Sequence, residues 1–263
     1  MNNYFHQTMK KRHKLYLELL NKLGEPVGKI EKGETQIETN PEKFLQIENE
    51  LRQNYEKKGM DPDSGNVGVF FQNPWYVFMN EPVYFPSKKK EEEKIPGAYL
   101  RVLFRGEAEG ERSAFCLPLL KNGNFLLTLS YRTTVRSWVV EAPGTVAKKG
   151  EKMDDALQRC IKEKLGREIL KKESLSESGL ISERGIMGAA VPAFLVTVCD
   201  EQKHEIKDLN VREVIEISLK ELKGGFLKGY IEIKKRKCLC QDSYTAFALL
   251  MLSLRDDKRI NNT

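Results

Sequence analysis

The chain has 263 residues, 40% of them hydrophobic and 31% charged, a composition that excludes the fibrous and disordered classes and leaves room for a sizeable core. Forty-four Lys and Arg against 38 Asp and Glu leave a net charge of +6, which favours anionic partners only mildly. No aromatic residue interleaves with the basic clusters, so the sequence predicts an ordinary solvated surface rather than a dedicated nucleic-acid face.

No run of about 18 apolar residues suits a membrane span. The opening MNNYFHQTMKKRHK lacks the apolar segment of a secretory signal, and a cytoplasmic location without membrane contact is expected. Five cysteines, an odd number without a disulfide-scaffold spacing, fit a reducing compartment. Cys238 and Cys240 form the close pair; with no second pair and no nearby His they read as packed thiols rather than a zinc site.

From Phe5 to Leu23 the leucines repeat at helical spacing, and Gly24 followed by Pro26 ends the pattern. A second helix is predicted from Pro41 to Lys58, with Asn40 as N-cap and Phe44, Leu45, Ile47 and Leu51 as its apolar face. The polar stretch 28–40 between them reads as a linker or loose hairpin. After the turn-rich DPDSG at 61–65, short runs at 67–71, 75–80, 82–86 and 98–104 predict a β-meander, with the charge block at 88–94 as a solvated loop tip. Residues 114–120 and 125–132 flank Asn122-Gly123, a strong hairpin signal. Beyond Met153 the period changes to about 3.6, predicting a helix that ends at Gly166. A polar Ser/Glu-rich loop, strands at 189–200 and 214–219, and a helix over Ser243–Leu254 complete the order. Trp75 and Trp138 are expected to pack in the core, and the scattered histidines 6, 13 and 204 form no catalytic dyad.

The segment WVVEAPGTVAKKGEKMDDALQRCIKEKLG (138–166) carries the chemical signal. Glu151 is followed after seven residues by Arg159, then by Ile161, Glu163 and Gly166, all on a predicted strand, loop and helix. This frame resembles the Nudix box, G-x5-E-x7-R-E-U-x-E-E-x-G, where U is a bulky aliphatic residue. Glu141-Ala142-Pro143-Gly144 resembles the same family's E-x-P-[AG]-G lead-in. The chain departs from the pattern at Thr145, Cys160 and Lys164, which stand where the family has Gly, Glu and Glu.

The resemblance implies an α/β (α+β) fold, a Nudix-type mixed β-sheet sandwiched between helices. Residues 61–258 would form the Nudix-like domain and residues 1–60 an N-terminal helical extension. It implies kinship with the pyrophosphatases that cleave ADP-ribose and other nucleoside diphosphate sugars, in which Mg or Mn ions activate water and neutralise the diphosphate. Carried over, Glu151 and Glu163 would be the metal ligands, Arg159 would orient a carboxylate, and Glu213 would assist the attacking water. Arg132, in a Tyr-Arg dipeptide shared with that group, would help position the box or a substrate phosphate. Apart from the resemblance, a lysine at 164 can contact a phosphate directly in place of the missing cation, with Lys148, Lys149, Arg132 and Arg159 adding to the anion pocket. The family also implies a homodimer. Plainer roles stand beside these: Arg159 and Glu163 as an i,i+4 surface pair, Lys164 facing water, and Glu213 and Glu216 flanking an edge strand.

Positions 160, 163 and 164 converge on a helix, so the departures place a thiol, one carboxylate and an ammonium together. That is too few hard oxygen donors for a tight magnesium site. The expectation is a weakened or lost hydrolase that retains nucleotide and phosphate binding. The alternative is a non-catalytic Nudix-like module that binds RNA or a protein partner.

Overall fold

Leucines three and four residues apart drive the first element, α1 (Asn2–Leu23), and Asn40 starts the second. The Asn40 side chain accepts the Glu42 N–H at 3.0 Å and Pro41 opens α2 (Pro41–Lys57), as the cap signal predicts. The computed structural model describes residues 2–23, 35–87, 94–181 and 185–255. The polar stretch 24–34 and the charge block 88–93 lie outside these. The chain divides into two units, Met1–Glu109 with Glu183–Ala189, and Gly110–Ser182 with Ala190–Thr263. The boundary expected near residue 60 falls inside the first unit, between α2 and the first long strand.

In the first unit β1 (Gln36–Ile37), β2 (Gly68–Gln72) and β4 (Lys94–Phe104) all pair with β3 (Tyr76–Pro86). The two short runs at 75–80 and 82–86 are one strand, because β4 pairs with β3 without interruption from Tyr76 opposite Phe104 to Pro86 opposite Lys94. Tyr16 of α1 and Phe44 and Ile47 of α2 bury themselves against Val77, Met79 and Leu103. Trp75 is 65% exposed, contrary to the core position expected of it.

The second unit is a nine-stranded sheet in the order β12-β13-β7-β6-β5-β10-β9. Its strands are β5 (Arg112–Leu119), β6 (Phe125–Arg132), β7 (Ser137–Glu141), β8 (Gly144–Ala147), β9 (Ile169–Ile181), β10 (Ala190–Val198), β11 (Val211–Ile217), β12 (Tyr230–Ile233) and β13 (Arg236–Leu239). β11 pairs with β6 and β8 with β5; β10 runs parallel to β5 and β13 parallel to β7, so the sheet is mixed. Alternation along the strands divides the apolar side chains between two layers. Ala114, Cys116, Leu126 and Val196 meet α3 (Met153–Leu165) through Leu157 and Ile161. Phe115, Leu117, Leu127, Leu129 and Val140 face the other way, against α4 (Leu219–Lys228) and α5 (Ser243–Ser253).

Besides the merged β3 and the β12–β13 hairpin, which has no counterpart among the expected strands, two further elements differ from expectation. The polar stretch after Gly166 is not a loop: β9 takes up thirteen residues of it as the outer partner of β10. An edge strand needs few apolar residues, and here Leu175 alone enters the main core. α4 has no sequence counterpart because Gly224-Gly225 interrupts its pattern. It is held by a capping box between Ser218 and Glu221, and Gly225 lets it lie where a Cβ would meet Ile231 Cγ1 at 2.4 Å. No described helix is long and apolar enough to cross a membrane.

Candidate functional site

The loop and helix from Lys148 to Gly166 are built on one clamp. Glu151 receives Arg159 in a fork, Nε to Oε1 at 3.0 Å and Nη2 to Oε2 at 2.9 Å, while the Lys148 N–H donates to Oε2 at 2.9 Å. The Arg159 guanidinium, followed by the Lys148 amide, pulls the Glu151 carboxyl down to about 2. Arg159 also donates to the Val146 carbonyl at 3.0 Å, which ties the helix to β8. Glu163 lies one turn further on, 3.9 Å from Arg159, so the i,i+4 pair expected from the sequence is present.

The inner side of α3 holds two of the three departures from the box, Cys160 and Lys164; Thr145 lies on β8. Cys160 is 2% exposed and its thiol donates to the Gly144 carbonyl at 3.3 Å. Burial pushes this thiol up to about 11, against the opposing pull of Lys164 and Arg159, so it is neutral near pH 7. Lys164 does not simply face water: its Nζ stands 3.3 Å from Asp208 Oδ2, with both side chains largely covered. The Lys207 and Asp208 N–H groups bond to the Glu163 carbonyl at 2.8 and 3.2 Å, and those of Lys203 and His204 to the Gly166 carbonyl at 2.9 and 3.0 Å. The loop after β10 is thereby stapled to the helix end, and the staple places Asp208. Nothing in the sequence singles out Asp208, since its one local signal is the turn it closes by accepting the Asn210 N–H at 2.9 Å.

Arg132, at the end of β6, lies on the same side of the sheet as α3. It grips Glu141 with two bonds, Nε to Oε2 at 2.9 Å and Nη2 to Oε1 at 2.5 Å. The bond to Glu141, and beyond it the charges of Asp242 and Asp208, hold the Arg132 guanidinium above its usual range.

The expected set is thus only partly assembled. Glu151, Arg159 and Glu163 come together with the Lys148 backbone on the outer side of α3. Arg132, Lys164 and Asp208 share the inner side. Glu213 joins neither: it sits opposite Leu129, alternates with Val214, which packs on the α3 layer, and pairs at 2.5 Å with Lys234 on the other face. Arg159, Lys162, Glu163, Lys203, His204 and Lys207 line an open cavity of about 730 Å³ beside the helix.

A divalent cation needs several hard, unoccupied oxygens. Both Glu151 oxygens are engaged by Arg159, Cys160 offers a protonated thiol, and Lys164 brings a positive charge of its own. Among the described residues no three His, Cys, Asp or Glu side chains converge on a metal position. The donor set does not suit Mg or Mn.

No protein-family model matches the chain, and no curated protein does. Among solved structures, a crystal structure of an ADP compounds hydrolase superposes with a TM-score of 0.54 and 14% sequence identity, over 74% of this chain and 95% of that one. At that identity the likeness speaks for the fold. The mixed sheet, the loop and helix on one layer and the helices on the other make this a Nudix-like α/β fold.

Proposed function

We propose that this protein binds a nucleoside diphosphate compound of the ADP-ribose type, with Lys164 taking the place of a divalent cation, and that metal-dependent hydrolysis is weakened or lost. The Lys164–Asp208 pair carries this reading, because it puts a fixed ammonium where the Nudix pattern has a cation-binding glutamate. An ammonium can neutralise phosphate charge, but it cannot generate a metal-bound hydroxide. Arg132 adds a guanidinium on the same side of the sheet, already oriented by Glu141. The likeness to an ADP compounds hydrolase makes the nucleoside diphosphate the natural first ligand to test.

The test is calorimetric titration with ADP-ribose in EDTA and again in Mg, alongside an assay for AMP release. The expected outcome is binding of equal strength in both buffers with no metal-stimulated turnover. Efficient turnover with Mg or Mn would overturn the reading, as would binding that EDTA abolishes.

A further inference from the structure

Two hairpin tips meet at one end of the nine-stranded sheet. β7 leaves the tip that follows Arg132, β13 leaves the tip at Lys234-Lys235, and the parallel pairing of Val139 with Leu239 puts both tips at the same end. Tyr131 and Trp138 cross this end as a strand pair with ring centroids 5.5 Å apart, and Tyr131 is 49% exposed. The Arg236 guanidinium lies over the Trp138 ring at 4.8 Å, and Lys237 over Tyr230 at 4.8 Å. Arg136, Lys234, Lys235, Arg236 and Lys237 are all exposed. The acids beside them are Glu213, paired with Lys234, and the exposed Glu232. Lys234 and Lys235 have φ of 49° and 65°, a left-handed turn better suited to Asn-Gly, so the lysines are not there to ease the backbone.

We propose that this end of the sheet is a binding surface for single-stranded nucleic acid. The flexible cations would follow the phosphates, and the Tyr131 ring with the Arg236 plane above Trp138 would take unpaired bases by stacking. A duplex hides those base faces, so the surface should prefer a single strand. Arg132 and Arg136 lie between Tyr131 and Trp138 along one hairpin, Tyr230 precedes the basic run 234–237 in another, and the parallel pairing of β13 with β7 brings the two hairpins side by side.

The experiment measures the anisotropy of a fluorescein-labelled single-stranded oligonucleotide of about 12 nucleotides, a length that one such surface covers. The full chain is titrated at several salt concentrations, with a duplex of the same length and phosphatidylserine-containing vesicles in parallel. The single strand should bind more tightly than the duplex, and excess ADP-ribose should not displace it. The triple variant Lys234→Asn/Lys235→Gly/Arg236→Gln removes three cations and relaxes the turn, so its melting temperature should not fall. Its slope of log affinity against log salt should shrink by about 2, from roughly 0.7 per cation, and its affinity should fall at least about tenfold. Tyr131→Ala should lose about tenfold in affinity with the slope unchanged. Equal binding of duplex and single strand, displacement by ADP-ribose, an unaffected triple variant, or binding to vesicles alone would each overturn the proposal.

Discussion

At the scale of single residues, the chemistry turns on which carboxylates are free. Glu151 stands where the Nudix pattern has a conserved acid, but its fork to Arg159 makes it a structural anchor for the loop. Because its folded carboxyl titrates near 2, below the unfolded value of about 4.3, its pair adds stability above that value and the contribution drains away as pH falls toward 2. A carbon-13 titration should place the Glu151 midpoint near 2 in the native chain and shift it most of the way toward about 4.3 in Arg159→Leu, the Lys148 amide still holding it somewhat below. A midpoint that stays low without Arg159 would disprove the clamp. Lys164 makes the opposite prediction. Lys164→Met keeps most of the stem and deletes the charge, so ADP-ribose affinity should fall roughly ten- to a hundredfold, as the loss of one charge-assisted contact to phosphate implies. Calorimetry on the variant decides it, and an unchanged affinity would remove Lys164 from the site.

At the scale of elements, the loop after β10 is shaped by Gly166. This glycine has φ of 66°, and a Cβ there would meet the His204 carbonyl at 2.3 Å, whereas Gly150, at φ 80°, has open space around it. Gly166→Ala should therefore destabilise by roughly 2 kcal/mol or more, and Gly150→Ala by only about 1 kcal/mol. Urea denaturation of the two variants distinguishes a stapled loop from a loose one, since equal losses would mean that the loop yields. Much of this element was legible in advance: the period of 3.6 after Met153, the glycine stop and the Asn122-Gly123 turn are local signals, and each stands where the spacing predicts. What was not legible depends on partners far along the chain. Asp208 is placed by bonds to the carbonyl of Glu163, Glu213 is turned away by the alternation of β11, and β9 is a strand because β10 offers it an edge. The two hairpins at the sheet end, each with its own aromatic and basic residues, are far apart in sequence, and only the pairing of β13 with β7 joins them.

At the scale of the molecule, each unit has its own core, and the first is organised around a buried charge. Glu48 of α2 is fully buried, receives Arg12 Nη2 at 2.9 Å and the Val67 N–H at 3.0 Å, and lies 3.1 Å from His13 Nε2. It joins both helices to the segment that enters β2. Burial alone would raise this carboxyl; the His13 and Val67 bonds and the Arg12 charge outweigh it and bring it below its ordinary value. The contribution of Glu48 to stability is therefore complete above about pH 4.3 and is lost as pH falls through the lowered folded value. Glu48→Ala strands Arg12 and the Val67 amide and should destabilise the first unit by about 3–5 kcal/mol, the usual result of breaking a buried pair from one side. Hydrogen exchange supplies the readout. Amides of β2, β3 and β4 should lose protection in the variant, while those of β5 and β6, whose side chains lie in separate clusters, should keep theirs. Glu48→Gln should flatten the acid limb of the stability curve for the first unit alone. Equal loss of protection in both sets of strands would show that the two cores open together, and an acid limb unchanged in Glu48→Gln would remove Glu48 as its cause.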